Sequence, residues 1–258
     1  MDVLITAGGT PLPGELLYEY TRGAPKAMLN ISGKPMVQWV LDAVSHSSKV
    51  DHIIIIGLQE LGGITCPKPL TLLPSQSDML ANIITGISQV KRLNPLAEQV
   101  LVVASDIPAI TTEMVDWMID IVEKSDADIF YNVVTKEVME KKYPSSKRTY
   151  THLKDVDICG GDMNAVRIDM LDKESRLWEE LITSRKNPLK QAYIIGFDLL
   201  FKIIFRTATL EEAAKTISQR LALKGKVINC PYPEVGMDVD KPRQLEIVRQ
   251  DLSRSGTS

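Results

Sequence analysis

Leu4-Ile5-Thr6-Ala7-Gly8-Gly9-Thr10 carries a short apolar run into a glycine turn, and Gly23-Ala24-Pro25-Lys26-Ala27-Met28-Leu29 follows soon after. A continuous apolar run closed by glycine is the pattern of a strand buried on both faces of a parallel sheet. The pattern returns in Ile53-Ile54-Ile55-Ile56-Gly57 and in Val100-Leu101-Val102-Val103-Ala104. Helical periods fill the gaps. Met36, Val37, Val40, Leu41 and Val44 share one face of a helix that Pro35 opens, and Met79, Leu80, Ile83, Ile84 and Ile87 share one face of a helix beginning after Ser77. Helix and strand in this alternation predict a doubly wound α/β first half.

The alternation loosens further on. Thr111 and Thr112 offer N-caps for a helix carrying Met114, Val115, Met118, Ile119 and Val122, and Asp128 to Val134 reads as the next strand. Lys141 to Asp157 is polar, with a loop at Pro144-Ser145-Ser146. A strand around Asn164 to Ile168, a helix from Lys173 to Ser184, two or three helices within Ala192 to Leu223, a strand at Val227 to Cys230 and a terminal helix opened by Pro242 complete the expectation. No repeat, linker or composition break appears, so one domain over residues 1–258 is expected.

Composition narrows the function classes. The 258 residues are 44% hydrophobic, enough for a full core, and carry a net charge of −3 with Lys and Arg scattered among a similar number of carboxylates. That distribution gives no footprint for nucleic acid. Cys66, Cys159 and Cys230 form no CxxC and have no histidine at ligand spacing, which suits reduced thiols in a cytoplasmic protein. No apolar run approaches the ~20 residues that span a bilayer, and no basic leader precedes the first strand. Neither membrane insertion nor export is expected.

Four groups of residues can carry chemistry. The turn at Ala7, Gly8, Gly9 and Thr10 lies past the carboxyl end of a strand, where open parallel sheets bind ligands, and bare glycine backbone lets amide N–H groups approach a polyphosphate. A plain tight turn would read the same, and neither GxGxxG nor GxxxxGK[ST] is present. Lys26, set by Pro25 and followed by an apolar anchor, is either a phosphate-holding point charge or a surface lysine. Asp106, in Ser105-Asp106-Ile107-Pro108, supplies a hard oxygen suited to Mg2+ or else belongs to a loop. Asp238 and Asp240 alternate with Met237 and Val239 and would face one side of an extended segment; Asp240 reads equally as a metal ligand or as a helix cap.

In this order the motifs, with Gly33-Lys34-Pro35-Met36 after Lys26 and Asp238-Val239-Asp240-Lys241-Pro242-Arg243-Gln244-Leu245-Glu246 at the end, resemble nucleotidyltransferases of glycosyltransferase-A-like fold, the branch similar to molybdenum cofactor guanylyltransferase and cytidylyltransferases. The resemblance runs from Leu4 to about Val248. It implies a Rossmann-like, three-layer α/β/α fold with a mostly parallel mixed sheet, a nucleotide-binding half at about 1–125 and an acceptor-side half at about 126–258. It also implies Mg2+-dependent transfer of a nucleoside monophosphate from a nucleoside triphosphate to a small phosphorylated or hydroxyl acceptor, releasing pyrophosphate. By position, Ala7, Gly8, Gly9 and Thr10 match the triphosphate turn, Lys26 the charge-neutralising lysine, and Asp106 and Asp240 the Mg2+ ligands. Lys26 and Asp106 are thereby the catalytic pair. Ser77 and Asn82 fall in the segment that reads base and ribose. Lys147, Arg148, Gly161, Asp162 and Asn164 are candidates for the anionic acceptor, although Lys147 and Arg148 also suit a solvated loop.

One departure stands out. The family's pattern places an arginine after the glycine turn, whereas Pro11-Leu12-Pro13-Gly14 follows Thr10 here and Arg22 lies at a different spacing. Two rival readings therefore accompany the first: a nucleotide-sugar-dependent glycosyltransferase, for which Asp238-Val239-Asp240 would be the DxD, and a nucleotide-binding regulatory protein without catalysis.

Overall fold

The computed structural model describes residues 1–171 and 197–255. In chain order the elements are β1 (Asp2–Thr6), α1 (Tyr18–Thr21), β2 (Asn30–Ile31), β3 (Lys34–Pro35), α2 (Met36–Ser45), β4 (Ile53–Ile56), β5 (Leu70–Leu73), α3 (Met79–Leu93), β6 (Gln99–Ala104), α4 (Thr112–Val122), β7 (Ile129–Thr135), α5 (Lys136–Lys142), β8 (Thr151–His152), β9 (Asp157–Gly160), β10 (Met163–Arg167), α6 (Phe197–Ile204), α7 (Leu210–Arg220), β11 (Gly225–Asn229) and α8 (Pro242–Ser255). The helix expected over Lys173 to Ser184 lies outside the described residues.

The apolar runs divide their side chains between two helix layers. Val3, Ile5, Ile53, Ile55, Leu101 and Val103 share a core with Val40 and Val44 of α2, Met114 and Met118 of α4, and Leu245 and Val248 of α8. Leu4, Ile54, Ile56, Val100 and Val102 point the other way, onto Ile87 and Val90 of α3. This period of two sandwiches the sheet between helices and gives the three-layer α/β/α fold. Each aliphatic side chain so buried contributes about 1.5–3 kcal/mol. On the α3 side the layers lie so close that a Cβ on Gly86 would come within 2.4 Å of the Leu4 side chain.

Nine strands form the sheet in the order β5-β4-β1-β6-β10-β7-β9-β8, with β11 added on β7. β5, β4, β1 and β6 are mutually parallel, β10 runs antiparallel to β6 and β7, and β11 is parallel to β7. The sheet is thus mixed and mostly parallel, and strands from both halves of the chain build it. The chain steps outward from β1 to β4 and β5, then crosses back to lay β6 on the other side of β1. Strand order reverses there, and in open α/β sheets a crevice for ligands lies past the carboxyl ends of the strands at such a point.

Several local expectations are corrected. Thr111 occupies the N-cap position of α4 but makes no capping bond from its side chain, and the Thr112 hydroxyl donates instead to the Ala43 carbonyl at 2.9 Å. The polar tract Lys141 to Asp157 begins in the last turn of α5, which Thr135 caps, carries the expected loop at Pro144-Ser145-Ser146 and also contains β8. A short hairpin of β2 and β3 precedes α2, with Pro35 its N-cap and not its first helical residue.

Candidate active site

Past the carboxyl ends of β1 and β6 lies a cleft of about 400 Å³. One wall is the turn from Thr6 to Gly9, a second is the segment from Ser75 to Met79 with Asn82, and the floor carries Lys26, Asp106, Asp162, Asp238 and Asp240.

The glycine turn is fixed from both sides. The Ala7 amide donates to the Ile56 carbonyl at 2.7 Å, and the Lys26 amide donates to the Gly9 carbonyl at 2.8 Å. A Cβ on Gly8 would lie 2.8 Å from both Asn82 Nδ2 and Ser75 Oγ, so bare backbone is what lets the second wall close on the turn. That wall is ordered in its own right. Asn82 is buried and its Oδ1 accepts from the Gln76 amide at 2.7 Å, while the Asp78 side chain caps α3 by accepting from the Ala81 amide at 2.9 Å.

On the floor, Lys26 Nζ donates to Asp106 Oδ2 at 2.7 Å and to Asp240 Oδ1 at 2.5 Å. Burial works against the ammonium, but Asp106 and Asp240 outweigh it and hold its pKa above the ordinary lysine value. Asp106 Oδ1 is buried without a hydrogen-bond partner. Backbone bonds stitch the acid-bearing segments together: the Val239 amide donates to the Asp106 carbonyl, the Ala104 amide to the Asp162 carbonyl, and the Asp162 amide to the Val235 carbonyl, all at 2.9 Å. Gln244 Oε1 accepts from the amides of Asp240 and Lys241 at 2.9 and 2.8 Å, so this glutamine, and not the Asp240 side chain, satisfies the backbone entering α8. Burial, followed by repulsion from Asp106, raises the Asp162 carboxyl to about 7, against the pull of Arg148 and Lys26.

The structure brings Ala7, Gly8, Gly9, Lys26, Ser77, Asn82, Asp106, Asp162 and Asp240 onto one cleft, with Thr10 exposed just past the turn. Lys147, Arg148, Gly161 and Asn164 lie outside its lining. Lys147 is exposed with φ at +51°, while Arg148 forms a largely buried ion pair with Asp238 of the floor. Asn164 is committed internally, donating to the Gly161 carbonyl at 2.9 Å and accepting from the Asn132 amide at 2.8 Å. Arg22 is exposed at the C-cap of α1, with left-handed backbone. Sequence reading missed Gly57 and the part played by Gln244. Gly57 packs its bare Cα against the Ala7–Gly8 peptide, and the only trace of it was the glycine that ends the second apolar run.

Among the described residues no three His, Cys, Asp or Glu side chains are grouped to hold a metal by themselves. Asp106 and Asp240 nonetheless converge on one positive charge, and Asp106 has an oxygen to spare. A cation here would take two carboxylates and complete its shell from ligand oxygens and water, which is how Mg2+ is commonly held. Among the described residues no helix is long and apolar enough to cross a membrane.

No curated protein matches the chain in sequence. A hypothetical transferase from Thermus thermophilus is 29% identical and superposes with a TM-score of 0.80 over 95% of this chain and 98% of its own. A 4-diphosphocytidyl-2C-methyl-D-erythritol synthase from Anaerococcus prevotii DSM 20548 shares the fold at 13% identity and TM-score 0.58, covering 98% of each chain. So does a CMP:2-keto-3-deoxy-manno-octonic acid synthetase complexed with CTP, at 16% identity and TM-score 0.54 over 99% of this chain and 98% of that one. The family model of the MobA-like NTP transferase domain matches residues 16–186, from just after the glycine turn to beyond β10. With that match over more than half its length, and with the cleft at the strand reversal, the chain belongs to the MobA-like NTP transferase domain family.

Proposed function

We propose that the cleft binds a nucleoside triphosphate with Mg2+ and transfers the nucleoside monophosphate to a small anionic acceptor, releasing pyrophosphate. One observation carries this reading: Lys26 is tied by its amide to the glycine turn and by its ammonium to Asp106 and Asp240, so the triphosphate wall and the acid floor meet at one residue. The family, and proteins of the same fold that are cytidylyltransferases, support nucleotidyl transfer in general.

In the reaction an acceptor oxygen attacks the α-phosphorus while the bond from that phosphorus to the bridging oxygen of the β-phosphate breaks, and pyrophosphate leaves with the electron pair. Amides of the turn at Gly8 and Gly9 align the phosphates, while the Ala7 amide, bonded to Ile56, fixes the turn. Lys26 offsets charge that grows on the α-phosphate and leaving group. Asp106 and Asp240 would hold Mg2+, which when bound supplies Lewis-acid neutralisation of phosphate oxygens. Asn82 and Ser77, on the second wall, lie where base and ribose would rest. A phosphate acceptor needs no general base, and the protein's contribution is then alignment and charge. The glycosyltransferase alternative is weaker, because Asp238 of the DxD is engaged by Arg148 and does not share a cation position with Asp240.

A thermal-shift panel of the four ribonucleoside triphosphates, each with and without Mg2+, tests the reading. A ligand at 100 times its dissociation constant adds about 2.7 kcal/mol of stability. At least one triphosphate should stabilise the protein, more with Mg2+ than without, and Asp106→Asn should abolish the Mg2+-dependent part. No shift with any triphosphate, or an Mg2+ effect unchanged by Asp106→Asn, would sink it.

A further inference from the structure

Lys26 stands in the position where a cation is assigned. Its Nζ lies 2.7 Å from Asp106 Oδ2 and 2.5 Å from Asp240 Oδ1, the carboxylates given to Mg2+ above, and the inference rests on that assignment. The lysine cannot leave as a whole. Its amide is bonded to Gly9, it opens the short 3-10 helix Lys26–Met28, and the adjoining Ala27 is buried. Only the side chain can move. Gly9 and the rest of the phosphate wall line the same cleft, within reach of a side chain rooted beside them.

Charge decides when it moves. The Lys26 side chain is 16% exposed, so an ammonium driven off its two carboxylates is left poorly hydrated with both of its ion-pair partners lost. Arg148, also near the floor, is already committed to Asp238. A divalent cation arriving alone must displace Lys26 and leave that charge stranded. A divalent cation arriving with a polyphosphate brings the anion that receives the ammonium.

We infer that Lys26 is a placeholder cation: it occupies the Asp106–Asp240 position in the free protein and yields it to a divalent ion only when a polyphosphate enters the cleft, so that metal entry depends on nucleotide. Coupling between two ligands is reciprocal, and the exclusion of metal alone therefore appears also as a gain in triphosphate affinity when metal is present.

The test is Mn2+ binding, followed by electron paramagnetic resonance without nucleotide, since Mn2+ takes the same carboxylate ligands as Mg2+. Wild type is compared with Lys26→Met and Lys26→Gln, which remove the charge in two shapes, and with Lys26→Arg, which keeps it. Both neutral variants should bind Mn2+ about tenfold or more tightly than wild type, the scale of removing one close, poorly hydrated charge pair, and Lys26→Arg should stay near wild type. Equal or weaker Mn2+ binding in the neutral variants overturns the placeholder role. Adding Asp106→Asn to Lys26→Gln should cancel the gain. If Mn2+ binding ignores Asp106 in every background, the metal assignment itself has failed; if it depends on Asp106 while Lys26 makes no difference, only the placeholder role has.

Discussion

A Cβ on Gly57 would lie 2.3 Å from the Gly8 nitrogen and 2.4 Å from the Ala7 carbonyl carbon, and Gly57 has φ at +116°. Both facts forbid a side chain there, and the clash falls on backbone that cannot move without dragging the phosphate wall along. Gly9 differs: nothing lies within 4 Å of its added Cβ, and its φ is not in the left-handed range. Gly57→Ala should cost about 2–4 kcal/mol in urea denaturation, from strain together with the displaced turn, while Gly9→Ala stays within about 1 kcal/mol. Comparable costs at the two positions would mean that the turn is not braced by β4. This contrast shows what was legible at the residue scale. Gly8, Gly9, Lys26, Asp106 and Asp240 could be read because each sits in a local pattern of strand end or turn. Gly57 could not, because its task depends on the parallel register that sets Ile56 beside Thr6.

The helix α3 closes the second wall of the cleft, and its N-terminus is held by Asp78 accepting from the Ala81 amide. Asp78→Ala should cost about 0.5–2 kcal/mol, while Asp78→Asn, which can still cap, should cost a few tenths. Because Ser75, Gln76 and Asn82 are arranged around that first turn, triphosphate affinity should fall with the alanine variant and be largely kept with asparagine; equal losses would assign Asp78 to the ligand and not to the cap. At this scale the long elements were legible and the short ones were not. The helices α2 and α4 and the strands β1, β4 and β6 each bury a repeating apolar set, so period and type could be read directly; α3 was legible as a helix, but it buries Asn82, Gly86, Ile87, Gln89 and Val90, and Met79 of the expected face is 56% exposed. β5 is a half-buried edge strand of four residues just after Cys66-Pro67-Lys68-Pro69, and β8 is two residues long. Such strands exist because a neighbour offers hydrogen bonds, and their own composition says little.

At the scale of the whole molecule, the direction of one strand assembles the acid floor. β10 runs antiparallel between β6 and β7, so its amino end meets the carboxyl end of β6, and Asp162, the residue before Met163, arrives opposite Ala104 and close enough to Asp106 to feel its charge. A parallel strand in that place would have delivered its other end to the cleft. No pattern within Gly160-Gly161-Asp162-Met163-Asn164 states that direction, which is why Asp162 was legible as a candidate but not as a neighbour of Asp106. The placement has a measurable consequence. In the folded protein the Asp162 carboxyl keeps its proton up to about pH 7, whereas an unperturbed aspartate loses it near 3.8. Between those values the native state binds more protons at this site than the unfolded state, so its contribution to stability falls as pH rises and levels off above about pH 7. Asp162→Asn removes the titration. The stability of the variant relative to wild type should therefore climb between about pH 4 and pH 7, by about 1–4 kcal/mol in all, and stay flat above it. Urea denaturation of both proteins at pH 4.5, 6 and 8, without divalent ions, reads this difference directly. A gap that stays constant across the series would place Asp162 in solvent and separate it from the acid floor.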